Sequence, residues 1–155
     1  MNRKQYLAGL QLLICMCLGN GASAGDNWVV RFDGVGPVKV GMALSQLNAA
    51  LHEKFTLPPN KEDQGCFHES PSGRPHIAFM IEDGQLVRVE VDSPGIATVE
   101  GIQVGDSEAR VRQVYSTRVK VTKHAYIDTG HYLTVRSPDG RYGIRFETEN
   151  GKIGD

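Results

Sequence analysis

Apolar and polar residues alternate along two stretches of the chain, and each stretch predicts antiparallel strands joined by tight turns. Residues 76–91, HIAFMIEDGQLVRVEV, alternate on both sides of Asp83-Gly84, a dipeptide that favours a type I′ hairpin. Residues 131–153 predict two further strands about the turn at 137–140, and then a second hairpin at Asn150-Gly151. Such alternation is typical of sheets with one dry face and one wet face.

A short amphipathic helix is predicted before each set of strands, because apolar residues recur there at spacings of three and four. The apolar positions are Leu44, Leu47 and Leu51 in the first helix and Val111, Val114 and Tyr115 in the second. Asp106 or Ser107 is expected to cap the second helix through a side-chain oxygen. Ala43 occupies the position of Ser107 in the first helix, so a weaker cap is expected there.

The two halves of the chain match each other at an offset of 64 residues, which becomes 67 after a three-residue insertion. The matches fall on apolar and turn positions, as expected for a duplicated structural unit. We therefore predict an α+β fold of two tandem repeats, residues 34–92 and 98–155, each a short helix followed by antiparallel strands. The two helices are expected to pack against a shared or continuous sheet.

The second repeat is expected to be truncated. At the offset of 67 residues Asp155 corresponds to Arg88, whereas the first repeat continues its strand to Asp92. One sheet edge is then expected to lack a strand, and an open edge favours association with another chain.

The first 24 residues predict a secretory signal peptide, with Arg3 and Lys4 before an apolar run and small residues up to Ala24. Cleavage there gives a single domain of residues 25–155. This domain keeps 15 of the 17 basic residues against all 18 acidic ones, a formal charge of −3 that does not favour nucleic acid. With no second long apolar run, we expect a bacterial periplasmic or secreted protein with no membrane span after cleavage.

The segments VKVGMALSQLNAAL (38–51) and IQVGDSEARVRQVY (102–115) carry a resemblance. They are similar to the repeat openings of β-lactamase inhibitory proteins and of small outer-membrane assembly lipoproteins. The whole of 34–155, with Cys66 before an Asp-Gly hairpin, resembles secreted proteobacterial proteins of unknown function. The resemblance implies a protein that binds other proteins through its sheet face and has no catalytic residues. The chain departs from the lipoproteins by lacking a lipobox, and from the inhibitors by its truncated second unit.

Arginine, lysine and tyrosine side chains on the predicted wet faces are the candidate binding residues, since Arg and Tyr are enriched at protein interfaces. The set is Arg88, Lys120, Tyr132, Arg136 and Arg145, and Lys120 lies in a further alternating stretch, RVKVT at 118–122. The alternative is an ordinary solvated face on which glutamates balance the charge. We interpret the protein as a non-enzymatic interaction module, inhibitor-like or envelope-associated, whose partner is another periplasmic or secreted protein.

Cys66 is the one cysteine of the predicted mature chain, so a disulfide at Cys66 needs a partner outside this chain. Together with His68, His76, His124 and His131 it also supports an alternative, a small secreted hydrolase or metal-dependent enzyme. These residues lack the paired short spacings of zinc sites, so we expect no metal and no cofactor. A structural envelope component without a discrete ligand is a third interpretation.

Overall fold

The computed structural model describes residues 28–154, which form an α+β fold with two short α-helices and three antiparallel sheets. The predicted fold class is thereby confirmed. The predicted signal peptide, residues 1–24, lies outside the described residues. Within 28–154 no helix has the length and apolar character needed to cross a membrane.

The strands fall into three sheets, which we name by their order along the chain. The N-terminal sheet contains β1 (Val30–Arg31), β2 (Gly34–Val35) and β3 (Val38–Lys39). The middle sheet has the order β4-β5-β6, with β4 Cys66–Glu69, β5 Ile77–Glu82 and β6 Gln85–Val91. The C-terminal sheet has the order β10-β9-β8-β7, with β7 Val119–Lys123, β8 His131–Arg136, β9 Gly143–Glu149 and β10 Lys152–Ile153.

Helix α1 (Leu44–Leu51) precedes the middle sheet, and helix α2 (Glu108–Tyr115) precedes the C-terminal sheet. The Ser107 hydroxyl caps α2 by accepting the Arg110 N–H at 3.2 Å, as predicted. At the start of α1 the Gln46 side chain instead accepts the backbone N–H of Ala43 at 2.8 Å. Both helices are eight residues long and marginal alone, so packing must stabilise them.

Each helix covers one face of one sheet, and two separate cores result. The core of α1 and the middle sheet contains Trp28, Val35, Val38, Leu47, Ile77, Phe79, Ile81 and Leu86. The core of α2 and the C-terminal sheet contains Ile102, Val104, Val111, Tyr115, Leu133, Val135, Ile144, Phe146 and Ile153. The prediction of a shared or continuous sheet is wrong within residues 28–154, because the middle and C-terminal sheets are not hydrogen-bonded to each other.

Equivalent backbone contacts occur beside the two helices. The Gly41 N–H donates to the Leu86 carbonyl at 2.7 Å, and the Gly105 N–H donates to the Ile153 carbonyl at 3.1 Å. Both glycines have a φ of 91°, which a residue with a Cβ rarely adopts. These contacts lie at the offsets found in the sequence, while the duplication itself stays a prediction. The two halves also differ, since β7 has no strand counterpart at residues 55–57.

Both predicted dipeptide hairpins are confirmed. Asp83 and Gly84 have φ values of 49° and 75°, and Asn150 and Gly151 have φ values of 49° and 79°. Positive φ at both central residues is the requirement of a type I′ turn, whose twist matches that of the strands. Each hairpin therefore fixes the register of the strand that follows it.

One part of the predicted alternation in β6 is wrong. The pairing of β5 with β6 shifts between Met80 and Ile81, which leaves Val87 as an extra residue in β6. Leu86 takes the core position, and Val87 is 38% exposed instead of sharing a face with Val89 and Val91. A β-bulge of this kind reverses the alternation beyond it, so the sequence pattern by itself misplaces Val87.

The two cores meet at the segment around Val30, which packs against both of them. Its N–H donates to the Ala97 carbonyl at 2.9 Å, and its carbonyl accepts the Val99 N–H at 3.1 Å. Tyr115 holds the segment that Val30 pairs with, since its hydroxyl lies 3.0 Å from the Thr98 hydroxyl and 2.8 Å from Glu100 Oε2. Burial, together with this carboxylate, raises the pKa of Tyr115 to about 12, so the phenol keeps its proton at neutral pH.

Candidate binding face of the C-terminal sheet

The C-terminal sheet has one face turned away from α2, and we call this surface the open face. Strand register places its side chains in two cross-strand rows. One row contains Lys120, Thr134 and Arg145, and the other contains Thr122, Tyr132 and Glu147. Arg136 follows on β8, opposite Gly143. The intervening residues of β8, Leu133 and Val135, are fully buried toward α2, so the alternation predicted for this strand is confirmed.

Tyr132 lies at the centre of an aromatic and cationic cluster on the open face. The His124 ring lies 4.4 Å from the Tyr132 ring between centroids, and the Arg145 guanidinium lies 4.9 Å from the Tyr132 ring centroid. A guanidinium at this distance is attracted by the negative face of the ring. Tyr132 is half-buried, so its ring also supports the neighbouring side chains.

His124 holds the turn that connects β7 to β8. Its Nδ1 accepts the backbone N–H groups of Tyr126 at 3.1 Å and Ile127 at 3.0 Å. Because Nδ1 is an acceptor, the proton of the neutral ring resides on Nε2, which lies 3.5 Å from Glu147 Oε2. The turn also passes so close to β9 that a Cβ at Gly130 would overlap the Thr148 carbonyl.

Tyr126 projects from this fixed turn into solvent. Its side chain is 92% exposed, and its ring meets the His124 ring edge to face at 6.2 Å. Tyrosine is one of the residue types that most often act as binding hot spots at protein interfaces. Because the backbone of Tyr126 is already hydrogen-bonded, little further ordering of this turn is needed on binding.

The open face is cationic around Tyr132. Lys120, Arg136 and Arg145 form no ion pair with any carboxylate in residues 28–154, although the predicted mature chain is acidic overall. Glu147 is the nearest acid by register, and it pairs with His124. A partner that places a carboxylate beside Lys120 and Arg145 would therefore meet cations that have no competing carboxylate partner.

Four of the five predicted binding residues lie on this face, and Arg88 does not. Arg88 belongs to β6 of the middle sheet, opposite Met80, and its guanidinium lies 2.6 Å from the Glu90 carboxylate. Glu90 therefore balances the charge of Arg88, as the alternative interpretation of an ordinary solvated face expects. His124 and Tyr126 are the additions that sequence reasoning missed as binding residues. An isolated tyrosine in a predicted loop, within HAYIDTG, was the available signal.

Cys66 and the histidines named with it are dispersed. Cys66 is exposed at the start of β4 opposite Glu82, and His68 lies two residues further on, opposite Met80. His76 lies 3.2 Å from Asp92 at the far end of the middle sheet. The described part of the chain has no group of three His, Cys, Asp or Glu side chains placed to hold a metal ion.

Glu108, His131 and Thr148 have the composition of a catalytic triad but not its connectivity. His131 Nδ1 lies 2.8 Å from Glu108 Oε1, and the Thr148 hydroxyl donates to the same oxygen at 2.6 Å. A nucleophile needs its hydroxyl to face a base such as the imidazole, whereas here the carboxylate stands between them. The cluster instead joins the first turn of α2 to β8 and β9.

The Glu108 carboxylate is held in its charged form. Burial acts to raise its pKa, but the hydrogen bonds from Thr148 and His131 outweigh this effect and leave the pKa below its ordinary value of 4.5. The side chain is 15% exposed, so these bonds form away from most of the solvent. The arrangement stabilises the contact between helix and sheet.

Comparison with known proteins assigns no family. No protein-family profile, curated protein sequence or solved structure matches the chain. The resemblance to β-lactamase inhibitory proteins and assembly lipoproteins therefore stays a prediction. The function must be argued from the geometry of the open face.

Proposed function

We propose that this protein is a non-enzymatic interaction module of the bacterial periplasm or extracellular space, which binds a protein partner through the open face. The observation that carries the proposal is the cluster of Tyr126, His124, Tyr132 and Arg145. It combines an almost fully exposed aromatic side chain with a cation stacked on a supported ring. Residues of these types contribute most of the binding free energy at protein interfaces.

The rigidity of the cluster also supports the proposal. The His124 ring fixes the Tyr126 turn through two backbone hydrogen bonds, and Tyr132 packs against that ring. A preformed surface loses little conformational entropy when a partner binds. Lys120, Arg136 and Arg145 pair with no carboxylate of residues 28–154, so they favour a partner whose contact surface is acidic. An acidic partner surface would also associate faster at low salt than at high salt.

The test uses the purified protein as bait for periplasmic proteins, followed by affinity measurement with each protein retained. Tyr126→Ala and Arg136→Ala remove exposed groups of the open face without touching the core. We expect each to weaken binding by about tenfold or more, as is typical of hot-spot residues. Arg110→Ala is the matched control, because it removes one exposed cation on α2, behind the sheet.

The outcomes separate the three interpretations of the sequence. A partner bound by the wild type and by Arg110→Ala, but lost by the open-face variants, supports the proposal. Equal binding by all four proteins places the interface elsewhere and contradicts it. Absence of any retained partner favours a structural envelope component. The hydrolase or metalloenzyme alternative predicts bound metal or a rapidly reacting Cys66 thiol, which elemental analysis and thiol titration measure directly.

A further inference from the structure

His124 is a buried titratable side chain beside the exposed Tyr126. Its side chain is 7% exposed, and both of its ring nitrogens face partners within the fold. Histidine is the side chain whose charge ordinarily changes between about pH 5 and pH 8. If the partners of such a ring accept only one of its two protonation states, the local structure that they build depends on pH.

The partners of His124 Nδ1 accept only the neutral ring. The backbone N–H groups of Tyr126 and Ile127 both donate to Nδ1, at 3.1 Å and 3.0 Å. A neutral imidazole has one acceptor nitrogen, whereas both nitrogens of the charged ring are donors. A proton on Nδ1 would face two N–H donors, so neither hydrogen bond could persist. The closed turn, by which we mean residues 124–127 with both bonds formed, therefore excludes the charged form of His124.

The charged groups of β9 near the ring do not distinguish the closed turn from an open one. Glu147 Oε2 lies 3.5 Å from His124 Nε2 and favours a positive ring. That contact needs neither backbone bond, so it is compatible with an open turn as well. The Glu147 side chain is 59% exposed, and water therefore screens the attraction. Arg145 contacts the Tyr132 ring, which packs against His124, and its positive charge opposes a charge on His124 in either state.

Further charged and aromatic groups near the ring belong to the turn and to β8. Lys123 and Asp128 flank the turn and pair with each other at 3.2 Å. The rings of Tyr126 and Tyr132 lie 6.2 Å and 4.4 Å from the His124 ring between centroids. Of all these groups, His124 is the one whose type ordinarily changes its charge between about pH 5 and pH 8. The decisive event in that range is therefore the arrival of a proton on Nδ1.

Loss of the two bonds to Nδ1 would loosen the turn locally and leave its ends in place. The His124 N–H donates to the Gly130 carbonyl, and the Gly130 N–H donates to the Ile127 carbonyl, each at 3.0 Å. These bonds involve no ring atom, so they hold the ends of the turn in either state. The N–H groups of Tyr126 and Ile127 would instead bond to water, and the backbone there would gain conformational freedom. Tyr126 would then lose its fixed position.

We infer that a proton on His124 opens the turn at Tyr126 and so weakens the binding of the partner by the open face at acidic pH. The closed turn binds one proton fewer than the open turn, so its stability relative to the open turn rises with pH. Ordering Tyr126 again on binding costs conformational entropy, which lowers the affinity. By reciprocity, a bound partner keeps His124 neutral. The effect on affinity rests on the proposed function, whereas the opening of the turn does not.

The first experiment follows the turn by NMR spectroscopy of the purified protein from about pH 8 to about pH 5. The amide signals of Tyr126 and Ile127 are expected to shift with the same midpoint as the ring signals of His124. Their backbone order parameters are expected to fall from about 0.85, typical of a rigid backbone, to below about 0.6. The amide of Gly130 is expected to stay ordered, because its hydrogen bond does not involve the ring.

His124→Asn is the matched variant, because it keeps an acceptor and removes the titration. An asparagine oxygen accepts backbone N–H groups of the following residues in an Asx turn, and its amide does not titrate. We expect ordered Tyr126 and Ile127 amides in this variant at both ends of the pH range. His131→Gln is the histidine control, since His131 faces Glu108 of α2. It is expected to open the turn with the midpoint of the wild type.

The second experiment measures the affinity for the retained partner at the same two pH values. Between about pH 8 and about pH 5, the wild type is expected to lose about tenfold more affinity than His124→Asn. Protonation of the partner acts on both proteins alike, so the difference between them isolates His124. His131→Gln is expected to behave as the wild type.

Each result supports or overturns the inference. Opening with the midpoint of His124 in the wild type and in His131→Gln, but not in His124→Asn, supports it. An ordered turn throughout the pH range, opening in His124→Asn as well, or a midpoint that follows His131 overturns it. If His124→Asn does not fold, the agreement or disagreement between the midpoints of the His124 ring and of the two amides decides alone.

The inference and the proposed function fail separately. An ordered turn at acidic pH leaves the proposed function standing, because Tyr126→Ala and Arg136→Ala test it at neutral pH. A turn that opens on acidification while the wild type and His124→Asn lose equal affinity overturns the link to binding. A protein that retains no partner at neutral pH contradicts the proposed function and the link to binding, and the NMR result then decides the opening of the turn.

Discussion

At the scale of single residues, the environment of Glu108 predicts how the stability of the fold depends on pH. Its carboxylate accepts hydrogen bonds from Thr148 and faces His131, and its pKa is lower in the folded chain than its ordinary value. A lowered pKa means that the charged form stabilises the fold fully above the unfolded value of about 4.5, and that this contribution is lost as the pH falls through the folded pKa. We expect Glu108→Gln to lower the free energy of unfolding at pH 7 by about 1 kcal/mol.

The same substitution should flatten the acid side of the stability profile. Urea unfolding from about pH 6 to about pH 3 should show a shallower decline for Glu108→Gln than for the wild type. Asp33 and Asp139 also have lowered pKa values and add to the decline in both proteins, so the difference between the profiles isolates Glu108. Parallel profiles would contradict the assigned role of the Glu108 charge.

At the scale of elements, the two helices provide a matched test of capping. Ser107 caps α2 through its hydroxyl, and Ala43 holds the equivalent position of α1 without a side-chain oxygen. Ser107→Ala is expected to lower the free energy of unfolding by about 1 kcal/mol, because the Arg110 N–H loses its acceptor. Ala43→Ser should change it in the opposite direction, by up to about 1 kcal/mol. Thermal and urea unfolding of both variants measures the two effects.

The opposite result for either variant would show what holds the start of its helix. If Ala43→Ser does not stabilise the protein, the contact between Gln46 and the Ala43 N–H already supplies what a cap would add. If Ser107→Ala has no effect, the hydroxyl contributes nothing to α2 despite its 3.2 Å hydrogen bond.

At the scale of the whole molecule, the contacts around Val30 predict that the two cores unfold together. Val30 packs against both cores and is hydrogen-bonded to Ala97 and Val99. Trp28, the single tryptophan, lies in the core of α1 and the middle sheet, so its fluorescence reports on the unfolding of that core. Val111→Ala, in the core of α2 and the C-terminal sheet, is expected to lower the free energy of unfolding by about 2 kcal/mol. If the cores unfold together, the unfolding midpoint measured by Trp28 fluorescence falls as well.

The control for cooperativity is Arg110→Ala on the exposed side of α2, which should change stability by less than about 0.5 kcal/mol. Coincident midpoints from Trp28 fluorescence and far-ultraviolet circular dichroism are expected for all variants. A Trp28 transition that stays in place while circular dichroism becomes biphasic in Val111→Ala would mean that the cores unfold independently.

The sequence by itself determined the local structure wherever a strong periodic pattern was present. Both helices, the two type I′ hairpins and the alternation of β8 were predicted, because each depends on residues close together in the chain. Alternation also assigned Tyr132 and Arg136 to one face of a strand. The strands of the N-terminal sheet are two residues long and too short to alternate, and β4 was not predicted either. These elements form because neighbouring strands offer them hydrogen bonds.

Only the tertiary structure decided which surfaces lie together. The bulge that exposes Val87 depends on the pairing of β5 with β6, and the separation of Arg88 from Arg145 depends on the two sheets being distinct. The stacking of His124 and Arg145 on Tyr132 joins residues from a turn and from two strands. Such non-local contacts leave no periodic signal in the sequence, because packing between distant segments creates them.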